Sequence, residues 1–448
     1  MVNRVLALAL VTPAVVPAIV LAGTAAQATS TPTCHGHAAT MVGTPGSDRI
    51  VGTDGPDVIV GLDGNDRIFG GPGDDIVCGG VGSDVLRGGD GDDALYGGLD
   101  LRRKVKQGGL TIVKGDLVDG GRGDDLLAPG AGARTGMLAF VRPNAVTFKH
   151  AAGPVRVDLA AGTATGAGED TILGDGPLGV IGSAYDDVLL GSARPDFLVG
   201  GKGDDSVSGR GSSDVLLDGG GQGDDSLDGG RGVDVAFGFA GDDVVAGGPG
   251  GDILAPSSGS GSIVTGGAGA DQVFLPAGLG APSLLDGGAG LNLLEVISVS
   301  FGDKRPVVTA DLGTETVSVV GTDHDGVTRA AGFDGAQLLG RARWNYVGTD
   351  LKDLVLAQGG PLNARTLGGD DEVYADRFDD VIDAGDGTDR VEGGGGDDTC
   401  LNYEQGECPA KADPGPFRTA TRAAGVLTGG VFAAVPQLRH LLAARHLR

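Results

Sequence analysis

Residues 43–96 read GTPGSDRIV, GTDGPDVIV, GLDGNDRIF, GGPGDDIVC, GGVGSDVLR and GGDGDDALY. Every block of nine carries glycine at its first and fourth positions, aspartate at its sixth and an aliphatic residue at its eighth. The aspartates are Asp48, Asp57, Asp66, Asp75, Asp84 and Asp93; the aliphatics are Ile50, Ile59, Ile68, Val77, Leu86 and Leu95. Chance does not hold such a register over six copies. Its physical reading is a glycine-rich turn that carries a carboxylate, followed by a very short strand that buries one side chain.

The register extends along most of residues 43–401. Asp116 and Asp125 continue it, with Val118 and Leu127 two residues on. A second array holds Asp187, Asp196, Asp205 and Asp214, then two extra residues, then Asp225, Asp234, Asp243 and Asp252. A further insertion leads to a degenerate copy with Ser262 in the aspartate position, then to Asp271, and Asn292 lies in a weak copy. A third array carries Asp353, Asp371, Asp380, Asp389 and Asp398, with Leu362 at the step it misses.

These blocks resemble the glycine-rich nonapeptide GGxGxDxUx of RTX (hemolysin-type) proteins, where U is a large apolar residue. The resemblance implies an all-β chain wound as a right-handed parallel β-roll, or β-solenoid. Two nonapeptides then complete one coil, and Ca2+ ions sit between stacked turns on the same side. Calcium takes six to eight oxygens, more than one short turn can offer, so stacked turns must share the ion. The candidate ligands are the register aspartates named above, leaving aside Asp116, Asp353 and Asp371. The copies beside Ser262, Asn292 and Leu362 are expected to bind weakly or not at all.

Composition points the same way. The formal net charge is -27 and aromatic residues make up 4% of the chain. Without metal, rows of carboxylates repel, and one buried side chain per strand cannot offset the chain entropy. Metal binding is expected to supply much of the folding free energy, with a largely disordered metal-free state.

The expected organisation has seven parts. Residues 1–28 are a secretory signal: Arg4, an apolar stretch, then Ala26-Gln27-Ala28 before the cleavage point. The first array with its cysteine-stapled cap covers 29–128, a β-rich interruption 129–181, and the second array 182–295. A second interruption covers 296–347, the third array with its cap 348–408, and a basic tail 409–448. The interruptions read as outer strands extending the solenoid or as recognition loops; the second holds His324, Trp344 and Tyr346. A basic run at 101–107, LRRKVKQ, reads as a solvated loop or as a dock for an anionic partner.

Four cysteines suit an oxidising compartment and allow three pairings. Cys34 with Cys78 and Cys400 with Cys408 is the favoured set, because a solenoid needs capped ends. There is no CxxC pair. The Cys34-His35-Gly36-His37 cluster is the one alternative metal site to weigh.

No catalytic constellation is present. No His is followed by Glu, no Lys by Ser or Thr, and no GxSxG occurs. The many GxGxxG matches are a by-product of the repeat and carry no dinucleotide signal without a strand–turn–helix unit. The expected function is non-enzymatic: extracellular calcium binding by a structural or interaction module, with no nucleic-acid partner and no membrane span after signal cleavage. The alternatives are a calcium-dependent adhesin that binds a cell-surface or wall polymer and, further off, a hydrolase or epimerase with a cryptic site. Loss of wall binding on deleting 409–448 would favour the adhesin.

Overall fold

The computed structural model describes residues 31–408 apart from 100–104, 108–109, 113–114, 131–143, 175, 258–260, 278–283, 299–304 and 323–324. The signal segment, the basic tail, the start of the basic run and His324 lie outside the described residues.

Successive repeats alternate between two parallel sheets. Arg49–Val51 pairs with Arg67–Pro72, and the intervening Val58–Asp63 pairs with Ile76–Val81. Each strand therefore bonds to the strand two repeats on, and two nonapeptides make one coil. Repetition builds a parallel β-solenoid of about 17 turns without a helix among the described residues. One sheet runs from Arg49–Val51 to Gln405–Glu407, the other from Met41–Val42 to Thr399–Leu401.

Three-residue strands expose their flanking side chains and bury the middle one. Leu189, Leu198, Val207, Leu216 and Leu227 are each at most 1% exposed. They belong to one apolar file between the sheets that also includes Ile59, Val77, Leu86, Leu95 and Val391. The expected single buried side chain per strand fails in several strands, Ala145–Thr147 and Gly335–Gly340 among them. Val235–Phe237 and Ile253–Ala255 are buried at all three positions, because Val235, Phe237, Ile253, Ala255 and Phe274 form a second cluster. By the period of two, these side chains leave the sheet on the face opposite Ala236 and Leu254.

The two interruptions have the same topology. In the first, Arg156–Asp158 and Thr163–Thr165 pair antiparallel, as do Thr163–Thr165 and Glu169–Ile172. The last of these strands returns to pair with Leu126–Ala128, while the first pairs forward with Val188–Leu190. In the second, Val307–Asp311, Thr316–Val320 and Gly326–Ala331 repeat the pattern between Leu284–Asp286 and Arg343–Val347. The opposite sheet gains nothing there: Ala145–Thr147 pairs directly with Gly179–Ile181, and Leu293–Ser298 with Gly335–Gly340. Each interruption is thus a meander spliced into one sheet. Trp344 and Tyr346 are each 1% exposed and sit in the core.

Both favoured disulfides form. Cys34 joins Cys78, tying the first hairpin to the third repeat of its sheet, and Cys400 joins Cys408 at the far end. Cys34 is therefore no free thiolate ligand, and His35 stacks on Tyr96 instead.

Candidate functional site: two ladders of buried carboxylates

Each register aspartate is tied to the next coil by one contact. The backbone N–H of Asp48 donates to Oδ1 of Asp66 at 2.8 Å, Asp66 to Asp84 and Asp84 to Asp116. On the other side Asp57 donates to Asp75, Asp75 to Asp93 and Asp93 to Asp125. The second array repeats this from Asp187 to Asp205, Asp225 and Asp243, and from Asp196 to Asp214, Asp234, Asp252 and Asp271. In the third, Asp353 donates to Asp371, Asp371 to Asp389 and Asp380 to Asp398. Every candidate ligand lies on one of these ladders. Apart from the half-buried Asp48, the carboxylates are buried although the chain elements that carry them are turns: Asp234 and Asp243 are 0% exposed.

Glycine makes that burial possible. An added Cβ at Gly200 would lie 2.3 Å from Oδ2 of Asp205, so the first glycine is the cradle of its own carboxylate. The next residue, Gly201, has φ +137°, and a Cβ there would meet the Ser183 carbonyl at 2.2 Å.

The second oxygen of the carboxylate divides the turns into two kinds. Oδ2 of Asp66, Asp75, Asp93, Asp125, Asp205, Asp214, Asp234, Asp252, Asp271, Asp371, Asp389 and Asp398 is buried and accepts no hydrogen bond. The residue four before each of these has positive φ, whether glycine or, as at Leu62, Arg210 and Leu367, a side-chain-bearing residue. Where the second residue is Thr or Ser, its N–H donates to Oδ2 instead. This occurs from Thr44 to Asp48, Thr53 to Asp57, Ser183 to Asp187, Ser192 to Asp196 and Thr349 to Asp353, at 2.5–2.8 Å. Such turns stand at the start of each array.

Buried oxygens without partners are costly for a charged group, and the acidities show it. Burial, reinforced by neighbouring aspartates, pushes Asp93, Asp205 and Asp214 up to about 8 and Asp125, Asp225 and Asp252 up to about 7. Burial also raises Asp380 to about 7. At Asp57 burial pulls upward too, but the Thr53 amide and hydroxyl and the Thr40 hydroxyl outweigh it and hold the group below its usual value.

The ladders also include residues that the repeat does not announce. Asp116 donates to Asn144, Asp125 to Asp170 and Asn292 to Asp334. Leu362 keeps the backbone link to Asp380 although it offers no carboxylate. Asp116, Asp353 and Asp371 were legible from spacing alone. Asn144, Asp170 and Asp334 were not, since their partners lie 28, 45 and 42 residues away.

The profile of the family described as RTX calcium-binding nonapeptide repeat (4 copies) matches residues 42–77, 79–100, 115–135, 181–216, 219–254 and 366–400. The chain carries RTX calcium-binding nonapeptide repeats. A search of curated proteins found no match to it. RTX repeats bind multiple Ca2+ ions, and this chain fits the ion on its own chemistry. Its donors are hard oxygens, held in cradles that a Cβ would fill, with a carboxylate oxygen left over in the turns that lack the Thr or Ser donor and are named above. Bound calcium supplies the positive charge that lets such carboxylates ionise while buried.

Proposed function

We propose that this protein is an extracellular, calcium-folded structural or interaction module without catalytic activity. One observation carries the reading: the rows of buried Oδ2 atoms that accept no hydrogen bond. The calcium ligands are the ladder aspartates whose second oxygen is left over: Asp66, Asp75, Asp93 and Asp125, then Asp205, Asp214, Asp234, Asp243, Asp252 and Asp271, then Asp371, Asp380, Asp389 and Asp398. Asp48, Asp57, Asp187, Asp196 and Asp353 instead close metal-independent turns that begin each array. An extracellular setting is supported by the signal-like residues 1–28 and by two disulfides, which persist in oxidising compartments. The absence of any recognised catalytic motif supports a non-enzymatic role. Among the described residues no helix is long and apolar enough to cross a membrane.

The test is a calcium titration of the purified chain, begun in excess chelator and followed by far-UV circular dichroism with magnesium as control. A cooperative, calcium-specific gain of β signal is expected. A β spectrum already complete in chelator and unmoved by calcium would overturn the metal-folding reading.

A further inference from the structure

The turn before Asp225 differs from its neighbours in two ways. It is two residues longer, so that Asp205 and Asp225 bond across a separation of 20 rather than 18. It also replaces the cradle glycine by an acid. The backbone stacks Gly200 on Asp218, with the Gly201 N–H on the Asp218 carbonyl at 2.7 Å. In that column Gly182 and Gly200 precede Asp218 and Gly238 follows it. A side chain at this column normally collides with the turn's own carboxylate; the extra length makes room for one.

The room is used to bring a third acid to the ladder. Oxygens of Asp218, Asp225 and Asp243 all lie within 4.8 Å of one another, and the residues are 0%, 3% and 0% exposed. This is the one such group of three acids, histidines or cysteines among the described residues. Asp218 is held in place by backbone donors: Gly220 N–H to Oδ1 at 2.7 Å, and Phe239 and Ala240 N–H to Oδ2 at 2.6 and 3.3 Å. Asp243 uses Oδ1 for the ladder, while its buried Oδ2 accepts no hydrogen bond. The nearby Ser257 hydroxyl, whose dipole favours the charged form of Asp243, makes its own hydrogen bonds with the Gly241 carbonyl and Ser262. Three carboxylates this close cannot all stay ionised without a cation among them. All the donors are oxygen, which selects a hard ion.

We infer that Asp218 completes a three-carboxylate calcium site with Asp225 and Asp243, and that this site binds more tightly than the two-carboxylate sites along the rest of the ladders. The inference rests on the calcium reading above and adds a ligand that the nonapeptide pattern lacks. Ligand charge count is a main determinant of calcium affinity, so the site should fill first.

The experiment is equilibrium dialysis of the full chain with radioactive calcium at low free concentration, with terbium as a second probe. Wild type is compared with Asp218→Asn, which removes the charge and keeps one of the two acceptor oxygens, and with Asp218→Gly, which restores the residue of the neighbouring turns. The expected result is that both variants lose one ion from the tightest class, or bind it at least roughly tenfold more weakly. Their remaining isotherm and their β signal in saturating calcium should match wild type. Isotherms that superimpose on wild type would overturn the inference and leave Asp218 as a turn fastener. Failure of both variants to regain β signal in saturating calcium would overturn it too, since the role would then lie in the backbone bonds. Wild type that binds no calcium at all would instead sink the underlying reading.

Discussion

Leu216 and Val381 both occupy three-residue strands, yet their side chains face opposite ways. Leu216 is 0% exposed in the central file, whereas Val381 is 48% exposed. Leu216→Ala should cost about 2–5 kcal/mol, since the file has no slack to fill the cavity. Val381→Ala should stay within about 0.5 kcal/mol. Denaturant melts in saturating calcium measure both, and equal losses would contradict the inward–outward assignment. The same scale governs glycine. Gly201→Ala combines φ +137° with a 2.2 Å approach to the Ser183 carbonyl. Nothing but backbone can yield there, so the substitution should cost more than Leu216→Ala or block folding of the second array. These single-residue roles were legible, because the repeat names the buried aliphatic and the glycines by position.

At the scale of the turn, one residue decides what the carboxylate is for. Asp57 is bonded through Oδ2 by the Thr53 amide and hydroxyl, at 2.7 and 2.9 Å, and through Oδ1 by Thr40. Asp75, in the next turn of its own ladder, has a buried Oδ2 without a partner. Asp75→Asn should therefore lower the number of calcium ions bound at saturation. Asp57→Asn should leave that number unchanged and cost about 1 kcal/mol of stability through weakened hydrogen bonds. Counting ions by dialysis separates the two, and an equal loss of calcium would remove the distinction between the turn types. The Thr or Ser at the second position is visible in the sequence. Its consequence is not, because it lies in which oxygen the backbone N–H reaches. The meanders were legible as β-rich, but not their splicing into one sheet. Their strands pair out of chain order, with Glu169–Ile172 beside Leu126–Ala128 and Arg156–Asp158 beside Val188–Leu190, and a local pattern carries no information on such pairings.

For the whole molecule the ladders act together. Carboxylates whose folded acidities lie near 6–8 against about 3.9 when unfolded hold protons more tightly in the fold. The metal-free fold is thus most favoured below about pH 4, loses stability as pH rises from there through 6–8, and levels off above that. Circular dichroism in chelator should show more β structure at pH 5 than at pH 8. Calcium affinity should move the opposite way, rising with pH over the same window as protons cease to compete. A metal-free spectrum richer in β structure at pH 8 would contradict this sign. The covalent ends add to the stability of the holo chain. Cys34–Cys78 spans 44 residues and Cys400–Cys408 spans 8. Chain-entropy reasoning assigns them about 4 and about 2.5 kcal/mol. Replacing the first pair by serine should therefore lower the denaturant midpoint in calcium more than replacing the second.

The sequence by itself determined the solenoid, its two-repeat coil, the central file and most of the carboxylate positions. It could do so because each coil contacts only its neighbours, so a rule nine residues long is also the rule of the fold. Tertiary structure alone decided which oxygens are left over, how the interruptions enter one sheet, and that Asn144, Asp170 and Asp334 sit on the ladders. It alone brought Asp218 beside Asp225 and Asp243, a substitution that reads along the chain as a flawed repeat. The physical reason is the same in each case. These features depend on atomic contacts that the nine-residue rule does not specify, either because insertions of unequal length shift which residue lies above which or because they turn on which oxygen a backbone N–H reaches.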